Sequence, residues 1–334
     1  MITIKIFVPY YYRDFRCIAD RCPDTCCAGW DVNFDPADAE YYRGIGGSIG
    51  DRLRAHLAVD GDGDNIFTLT ESRRCPFLNE KNLCDLYIAL GEDSLCPTCT
   101  LFPRFYDDFG TFREMGLGFG CPEAARIMLS QEKPLTLTEY GFSDDENFEI
   151  DEDTLKILLE ARKCFFGILA DGQHFKEQAK EILEKAKKIQ LMLNGEADTE
   201  NKADFEDVTG LMSEMEYIDE SRKALYLSLQ QNLYSRIFEE YADDFRRLAE
   251  YYIFRYVLKA VYDYDLLTKI KYGFFACAVT ARAYAKKKVL TLEDRVKIMC
   301  GFSKEVEYSD VNTELLDSAM YEQFGCESLI ALLS

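Results

Sequence analysis

The placement of the cysteines constrains this chain of 334 residues more than any other feature, because nine of the thirteen lie between positions 17 and 121. They form the short phrases Cys17-x4-Cys22-x3-Cys26-Cys27, Cys75-x8-Cys84, Cys96-x2-Cys99 and Cys121-Pro-Glu. Thiolates are soft ligands, and a cluster of them favours zinc, copper(I) or an iron–sulfur centre. The sequence therefore predicts a metal site in its N-terminal third.

Disulfides and buried free thiols are the two alternatives. The segment from Met1 to Tyr10 lacks a long apolar core followed by a small-residue cleavage site, so it does not resemble an export signal. We therefore expect a cytoplasmic protein, and in that reducing compartment clustered cysteines bind metals or act in catalysis more often than they pair. We expect Cys164, Cys277, Cys300 and Cys326, which occur singly, to be small buried residues.

The charge of the chain narrows the classes of partner. Its 60 acidic and 39 basic residues give a formal net charge of −21. Such a chain repels phosphate backbones and anionic lipid headgroups, so we expect neither a nucleic-acid partner nor a membrane partner. A lysine-bearing protein surface is the partner that the charge favours, although solubility alone would also explain it. The sequence indicates no oligomeric state.

The composition changes near residue 130 and predicts two domains, a cysteine-rich metal-chelating domain at 1–133 and a helical domain at 134–334. The fold class is mainly α with a small β component. Strand patterns cover 65–71 and 111–119, and helical patterns cover 36–42, 122–129, 151–171, 175–194 and 221–264, the last broken once. A capping phrase at Thr291 begins a further helix. We expect the aromatic residues crowded between 251 and 257 to pack between helices.

Two other motifs and the scarcity of histidine bear on the choice of function. The acids from Asp60 to Glu71 are spaced like those of a calcium loop, but Asn65 replaces the required glycine and a strand pattern follows, so an acidic turn is favoured. Gly116-x-Gly118-x-Gly120 precedes a helix pattern without the full dinucleotide fingerprint. With only two histidines in the chain, a histidine-based catalytic triad is excluded as a reasonable hypothesis.

Several longer phrases together resemble the flagellin lysine-N-methylase (FliB-type) family, within the broader group of cysteine-rich zinc- or iron-chelating domains. The N-terminal phrases are Phe15-Arg-Cys17-Ile-Ala-Asp-x-Cys22-x3-Cys26-Cys27-x-Gly29-Trp30, Cys75-Pro-Phe-Leu-Asn-Glu-x2-Leu-Cys84, Thr98-Cys99-x2-Phe-Pro-Arg104 and Cys121-Pro-Glu-Ala-Ala-Arg126. The C-terminal phrases are Tyr251-Tyr-Ile-Phe-Arg255-Tyr and Phe302-Ser-Lys-Glu-Val-Glu-Tyr-Ser-Asp310-x-Asn312. Tyr308 stands where the family would have a histidine, and Cys96 is an addition to the family pattern.

The resemblance implies methyl transfer from S-adenosylmethionine to lysine ε-amines of flagellin or another lysine-bearing protein. It also implies an iron–sulfur centre, with [4Fe–4S] favoured and zinc as the alternative. The candidate ligands that it implies are Cys17, Cys22, Cys26, Cys27, Cys75, Cys84, Cys99 and Cys121. A [4Fe–4S] cluster takes four thiolates, and the preferred four are Cys22, Cys26, Cys27 and Cys99.

The resemblance identifies no catalytic residue and no residue that binds S-adenosylmethionine. Two other functions remain open at this point. One is a non-enzymatic metal-chelating or electron-transfer module that binds a protein partner, and the other is a redox-sensing switch that loses its metal on mild oxidation.

Overall fold

The computed structural model describes residues 2–145, 149–231 and 236–334. The chain divides into two compact units. The first, the helical unit, comprises Met1–Phe15, Tyr106–Gly120 and Ala124–Ser334, and the second, the cysteine-rich unit, comprises Arg16–Phe105 and Cys121–Glu123.

Seven strands are found in the described ranges. They are β1 Ile2–Pro9, β2 Asn33–Phe34, β3 Leu57–Val59, β4 Asn65–Phe67, β5 Arg104–Asp108, β6 Phe112–Leu117 and β7 Leu137–Asp145. One sheet has the order β5-β6-β1-β7, with β1 parallel to β6 and antiparallel to β7. The other has the order β2-β4-β3 and is antiparallel. The units therefore divide differently from the predicted boundary at 133/134, because β1 pairs with strands that lie more than a hundred residues further along the chain.

Sixteen α-helices occupy most of the rest of the described chain. They are α1 Pro36–Gly44, α2 Gly47–His56, α3 Asp85–Leu90, α4 Pro97–Leu101, α5 Pro122–Leu129, α6 Glu152–Ala170, α7 Phe175–Asn194, α8 Phe205–Glu214, α9 Glu220–Leu227, α10 Ile237–Glu240, α11 Ala242–Tyr256, α12 Ala260–Asp263, α13 Leu266–Tyr284, α14 Leu292–Val306, α15 Asp310–Glu322 and α16 Cys326–Leu332. The prediction of a mainly α fold with a small β component is confirmed.

Local signals account for most helix boundaries. The Asp35 side chain accepts a hydrogen bond from the N–H of Asp38 and begins α1, and Thr291 begins α14 through a reciprocal capping box with Asp294. Gly195 ends α7 in the left-handed conformation. The predicted single break in 221–264 was wrong, because α9, α10, α11 and α12 are separate helices within it.

The core of the helical unit is built around α13. All of its residues except Lys269 are buried, and α7, α11, α14, α15 and α16 pack around it. A helix that is apolar on every side is buried on every side. Within the described ranges, every helix is either too short or too polar to span a lipid bilayer.

The described part of the helical unit contains ion pairs in which both side chains are buried. Arg162 on α6 makes a bidentate salt bridge with Glu114 on β6. Lys271 Nζ on α13 lies 3.1 Å from Asp198 Oδ1. Burial by itself would raise the pKa of Asp198, but the backbone N–H of Cys326 and the Lys271 ammonium together lower the pKa below its ordinary value. The carboxylate is therefore stabilised in its charged form.

The cysteine-rich unit has its own small apolar core. Phe34, Tyr42, Phe67 and Phe77 meet there in tilted and edge-to-face ring contacts. At one end of its sheet, the carboxylate of Asp60 accepts hydrogen bonds from the backbone N–H groups of Asp62 and Asp64, and β4 follows at once. The favoured interpretation of this segment as an acidic turn leading into a strand is confirmed.

Candidate functional site

All nine clustered cysteines lie in the cysteine-rich unit. Their positions in that unit differ in exposure: Cys17 and Cys99 are exposed, Cys75 and Cys96 are buried, and Cys22, Cys26, Cys27, Cys84 and Cys121 are half-buried. Cys84 precedes α3 and Cys96 precedes α4, while Cys99 lies within α4. The fold therefore collects thiols from segments that are far apart in sequence.

Cys27 lies at the centre of this group. Its carbonyl accepts a hydrogen bond from the N–H of Cys75 at 2.8 Å, which holds the first and second cysteine phrases together. A hydrogen bond with the Cys27 thiol, followed by burial and by the charge of Cys27, raises the pKa of Cys26. Burial is the main cause that raises the pKa of Cys75 to about 12, and the pKa of Cys84 is raised for the same reason, with the charge of Cys27 adding to both.

Cys96 and Cys99 form a second thiol pair. Their side chains are hydrogen-bonded, which lowers the pKa of Cys96 to about 7 and raises the pKa of Cys99. The charges of Cys27 and Cys75 also raise the pKa of Cys99, so this pair and the group around Cys27 interact electrostatically. Cys96 was left out of the predicted ligand set, although its Cys-x2-Cys spacing to Cys99 was the signal that could have included it.

The donor set has the chemistry that thiophilic metals require, since every one of these nine side chains is a thiol. In the residues that the structure describes, however, no three His, Cys, Asp or Glu side chains converge closely enough to hold a metal ion. Of the preferred four, Cys26 and Cys27 are hydrogen-bonded to each other, and Cys27 acts on Cys99 through its charge. Cys22 lies just after the short 3-10 helix Ala19–Arg21. The assignment of ligands stays a prediction.

The four remaining cysteines lie in the helical unit. Cys277, Cys300 and Cys326 are buried, as expected for small apolar residues. The expectation for Cys164 was wrong, because this residue lies on an exposed face of α6. Helical periodicity alone does not distinguish a cysteine at the edge of the apolar stripe from one inside it.

A second constellation, in the helical unit, brings the two C-terminal phrases together. Glu307 follows α14, and its fully buried carboxylate accepts hydrogen bonds from three tyrosines of α11. Tyr251 and Tyr256 donate to Oε2 at 2.6 and 2.9 Å, and Tyr252 donates to Oε1 at 3.2 Å. One α11 face thus supplies three donors to a single carboxylate.

Arg255 supplies the positive charge at this carboxylate. Its Nη1 lies 3.0 Å from Glu307 Oε2 and donates to the hydroxyl of Tyr251 at 2.6 Å. Its guanidinium carbon lies 5.8, 5.4 and 5.9 Å from the ring centres of Tyr251, Tyr256 and Tyr308. This geometry is that of a cation held against aromatic faces.

Tyr272 on α13 completes the aromatic lining. Its ring lies 5.0 and 5.2 Å from those of Tyr252 and Tyr256. Its hydroxyl is buried beside that of Tyr256. We call this group the Glu307 cage, and its members are Glu307, Arg255, Tyr251, Tyr252, Tyr256, Tyr272 and Tyr308.

The glycine-containing segment before α5 packs against the same cage. The Phe119 ring meets that of Tyr251 edge-to-face at 4.7 Å. A Cβ placed on Gly120 would lie 2.6 Å from Cε2 of Tyr308, so only glycine fits there without movement. Because the Tyr308 ring fills the space beside Gly120, this position serves close packing in the structure and does not leave room for a nucleotide.

Neither a role for Glu307 nor the cage was predicted from the sequence, and the aromatic crowding on α11 was interpreted only as packing between helices. The rings do pack between α11 and α13, but they also enclose a charged pair. The sequence did contain a signal for this site. Tyr251, Tyr252, Arg255 and Tyr256 all lie on one side of α11, because an α-helix has 3.6 residues per turn. A polar end on each of these side chains requires a buried polar partner.

Comparison with known proteins gives a match for the C-terminal part of the chain. The family model described as the FliB lysine N-methylase C-terminal domain matches residues 145–334. The matched residues include both C-terminal phrases and the whole Glu307 cage, and this match confirms the family predicted from the sequence. No solved structure matches the chain.

Three curated relatives are each 26% identical to this chain. The lysine-N-methylases of Salmonella choleraesuis (strain SC-B67) and Salmonella typhimurium (strain LT2) match over 144 residues, and the flagellar biosynthetic protein FliU of Salmonella muenchen matches over 152 residues. Each match covers 42% of this chain. It spans 36% of the two lysine-N-methylases and 85% of FliU, so the chain spans about a third of the length of the former.

Proposed function

The chain belongs to the FliB lysine N-methylase family, and from this membership we propose that it transfers a methyl group from S-adenosylmethionine to lysine ε-amines of flagellin. The observation that carries the proposal is the convergence of the two family-like C-terminal phrases on one buried site, the Glu307 cage. Sequence phrases that are far apart and meet around a buried charge are more consistent with a functional site than with packing alone.

The chemistry asks for three things of the protein. S-adenosylmethionine supplies, when bound, a methyl group on a positively charged sulfur. The chain must hold the lysine amine in line with that methyl carbon, keep water away, and take the amine in its neutral form. The new C–N bond forms as the C–S bond breaks, the electron pair leaves with the thioether sulfur, and the methylated ammonium product then releases a proton to bulk water. Removal of the amine from water favours its neutral form, because burial lowers the pKa of an ammonium group.

We further propose that the cysteine-rich unit holds an iron–sulfur cluster, with zinc as the alternative. The ligands would come from the eight predicted cysteines, with Cys96 added because its thiol pairs with that of Cys99. When bound, the metal supplies cross-links between loops that otherwise have few regular elements, and such a site contributes directly to folding. The group centred on Cys27 supports this proposal.

The test combines metal analysis with an activity assay. Protein purified without oxygen is analysed for iron, sulfide and zinc, and is then incubated with flagellin and S-adenosylmethionine carrying a labelled methyl group. About four irons and four sulfides per chain support the cluster, and one zinc without sulfide supports a structural zinc site. Metal-loaded protein that labels neither flagellin nor any other lysine-bearing protein would contradict the methylase and favour a non-enzymatic chelating module.

A further inference from the structure

We propose that the Glu307 cage binds a small alkylated cation in the place that the Arg255 guanidinium holds in this structure. The inference rests on the proposed function for the source of that cation. Methyl transfer to lysine involves two such groups, the alkylammonium of the lysine side chain and the sulfonium of the methyl donor. Both present carbon-bound hydrogens around a positive charge, and the cage has the chemistry that recognises this class.

The first argument is the arrangement of rings around a carboxylate. Faces of aromatic rings are electrostatically negative, and sites that surround a cation with several rings recognise alkylated ammonium groups. Here Tyr251, Tyr256 and Tyr308 present rings within 6 Å of the Arg255 guanidinium carbon, at the distances given above. Arg255 therefore shows where a cation is accommodated.

The second argument is that the buried carboxylate requires one cation but does not require this one. The tyrosine hydroxyls that donate to Glu307 are neutral, so Arg255 alone balances its charge within the cage. Glu307 is 0% exposed at its side chain, whereas the side chain of Arg255 is 11% exposed. The guanidinium is thus slightly more accessible to solvent than the carboxylate. Exchange for another cation would keep the carboxylate paired, whereas simple departure of Arg255 would leave a buried charge, which is costly.

The experiment removes the Arg255 side chain from the cage and measures whether added cations bind in its place. In the full chain, Arg255→Ala removes the resident cation, and Arg246→Ala on the same helix removes one that pairs with the exposed Asp243 instead. n-Butylammonium, a mimic of the lysine side chain, and n-butanol, its neutral counterpart, are titrated while tyrosine fluorescence and the thermal midpoint are followed. We expect saturable binding of n-butylammonium to Arg255→Ala, about tenfold tighter than to the wild type or to Arg246→Ala.

The second arm identifies the source of the cation and does not depend on the folding of Arg255→Ala. Glu307→Gln keeps the shape of the side chain and removes its charge, and its affinity for S-adenosylmethionine is compared with that for the neutral thioether S-adenosylhomocysteine. A sulfonium site predicts about a tenfold loss for the former with little change for the latter. An alkylammonium site predicts the same loss for a lysine peptide instead.

Two results would overturn the inference. One is a weak, unsaturable response to n-butylammonium that is equal in the wild type and Arg255→Ala. The other is unchanged affinity of Glu307→Gln for both cations. Because these assays measure binding without methyl transfer, an active methylase that fails them would refute the cage alone. A wild-type protein that binds cations in the cage but transfers no methyl group would refute the proposed function alone.

Discussion

Replacing Arg162 with methionine should strongly destabilise the helical unit, because it leaves Glu114 charged and buried without its partner. In the structure, Nη1 and Nη2 of Arg162 each donate to one oxygen of Glu114 at 2.6 Å. The two side chains are only 6% and 5% exposed. Removing one partner of a buried pair costs about 3–5 kcal/mol. For a unit of this size, that corresponds to a decrease in melting temperature of roughly 6–20 °C.

The same reasoning predicts the opposite for the double variant. In Glu114→Leu combined with Arg162→Met, both charges are gone and apolar side chains fill the space. Replacing a whole buried pair is often neutral or stabilising. We therefore expect the double variant to recover most of the free energy that Arg162→Met loses, with a coupling energy of about 2–4 kcal/mol.

Urea denaturation followed by far-UV circular dichroism measures these effects. The one tryptophan, Trp30, lies in the cysteine-rich unit, so its fluorescence reports separately on that unit. Lys5→Ala breaks an exposed pair with Glu139 in the same sheet and serves as the control, with an expected change of at most about 1 kcal/mol. The reasoning would be wrong if the double variant had the same low free energy of unfolding as Arg162→Met. It would also be wrong if Arg162→Met lost no more free energy of unfolding than Lys5→Ala.

Three further predictions concern packing, protonation and the metal site. Gly120→Ala should cost about 1–3 kcal/mol in urea denaturation, because the new methyl group would lie 2.6 Å from the Tyr308 ring, and adding Tyr308→Ala should restore part of that loss. Since the folded-state pKa of Asp198 is lowered, its stabilising contribution is present above the unfolded value of about 3.9 and disappears as the pH falls through the folded value. Asp198→Asn should therefore be less stable than the wild type at pH 7, with a gap that closes in denaturation curves recorded below about pH 4; a gap independent of pH would contradict this. Cys27→Ser should lower the metal content of purified protein, whereas the exposed Cys164→Ser should leave it unchanged, and equal content in both variants would remove Cys27 from the site.

The elements that local chemistry determines were predictable from the sequence. Asp35 and Thr291 mark helix starts through their own side chains, and α6 and α7 show apolar periodicity over about five turns. The strand pairing of β1 was not predictable in the same way. Its register with β6 and β7 depends on residues that are distant in sequence, and a strand pattern does not specify its partner.

The same distinction between local and long-range information applies to the candidate sites. Short spacings identify the thiols, but which of them come together depends on turns such as the one in which Cys75 N–H meets the Cys27 carbonyl. Glu307 lies 51 to 56 residues beyond the tyrosines that enclose it, directly after a different helix. Only the packing of α14 against its neighbours brings them together, and no local pattern in the sequence contains that information.

The position of β1 has a consequence for the order in which the protein forms during synthesis. This strand leaves the ribosome before either of its partners, since its parallel partner β6 begins at Phe112 and its antiparallel partner β7 begins at Leu137. Residues 16–105 of the cysteine-rich unit are therefore exposed to the cell before the sheet of the helical unit can close. Domains generally fold as units while the chain is still being made. The thiols between residues 16 and 105 are thus present on the nascent chain while β1 still lacks both of its neighbours.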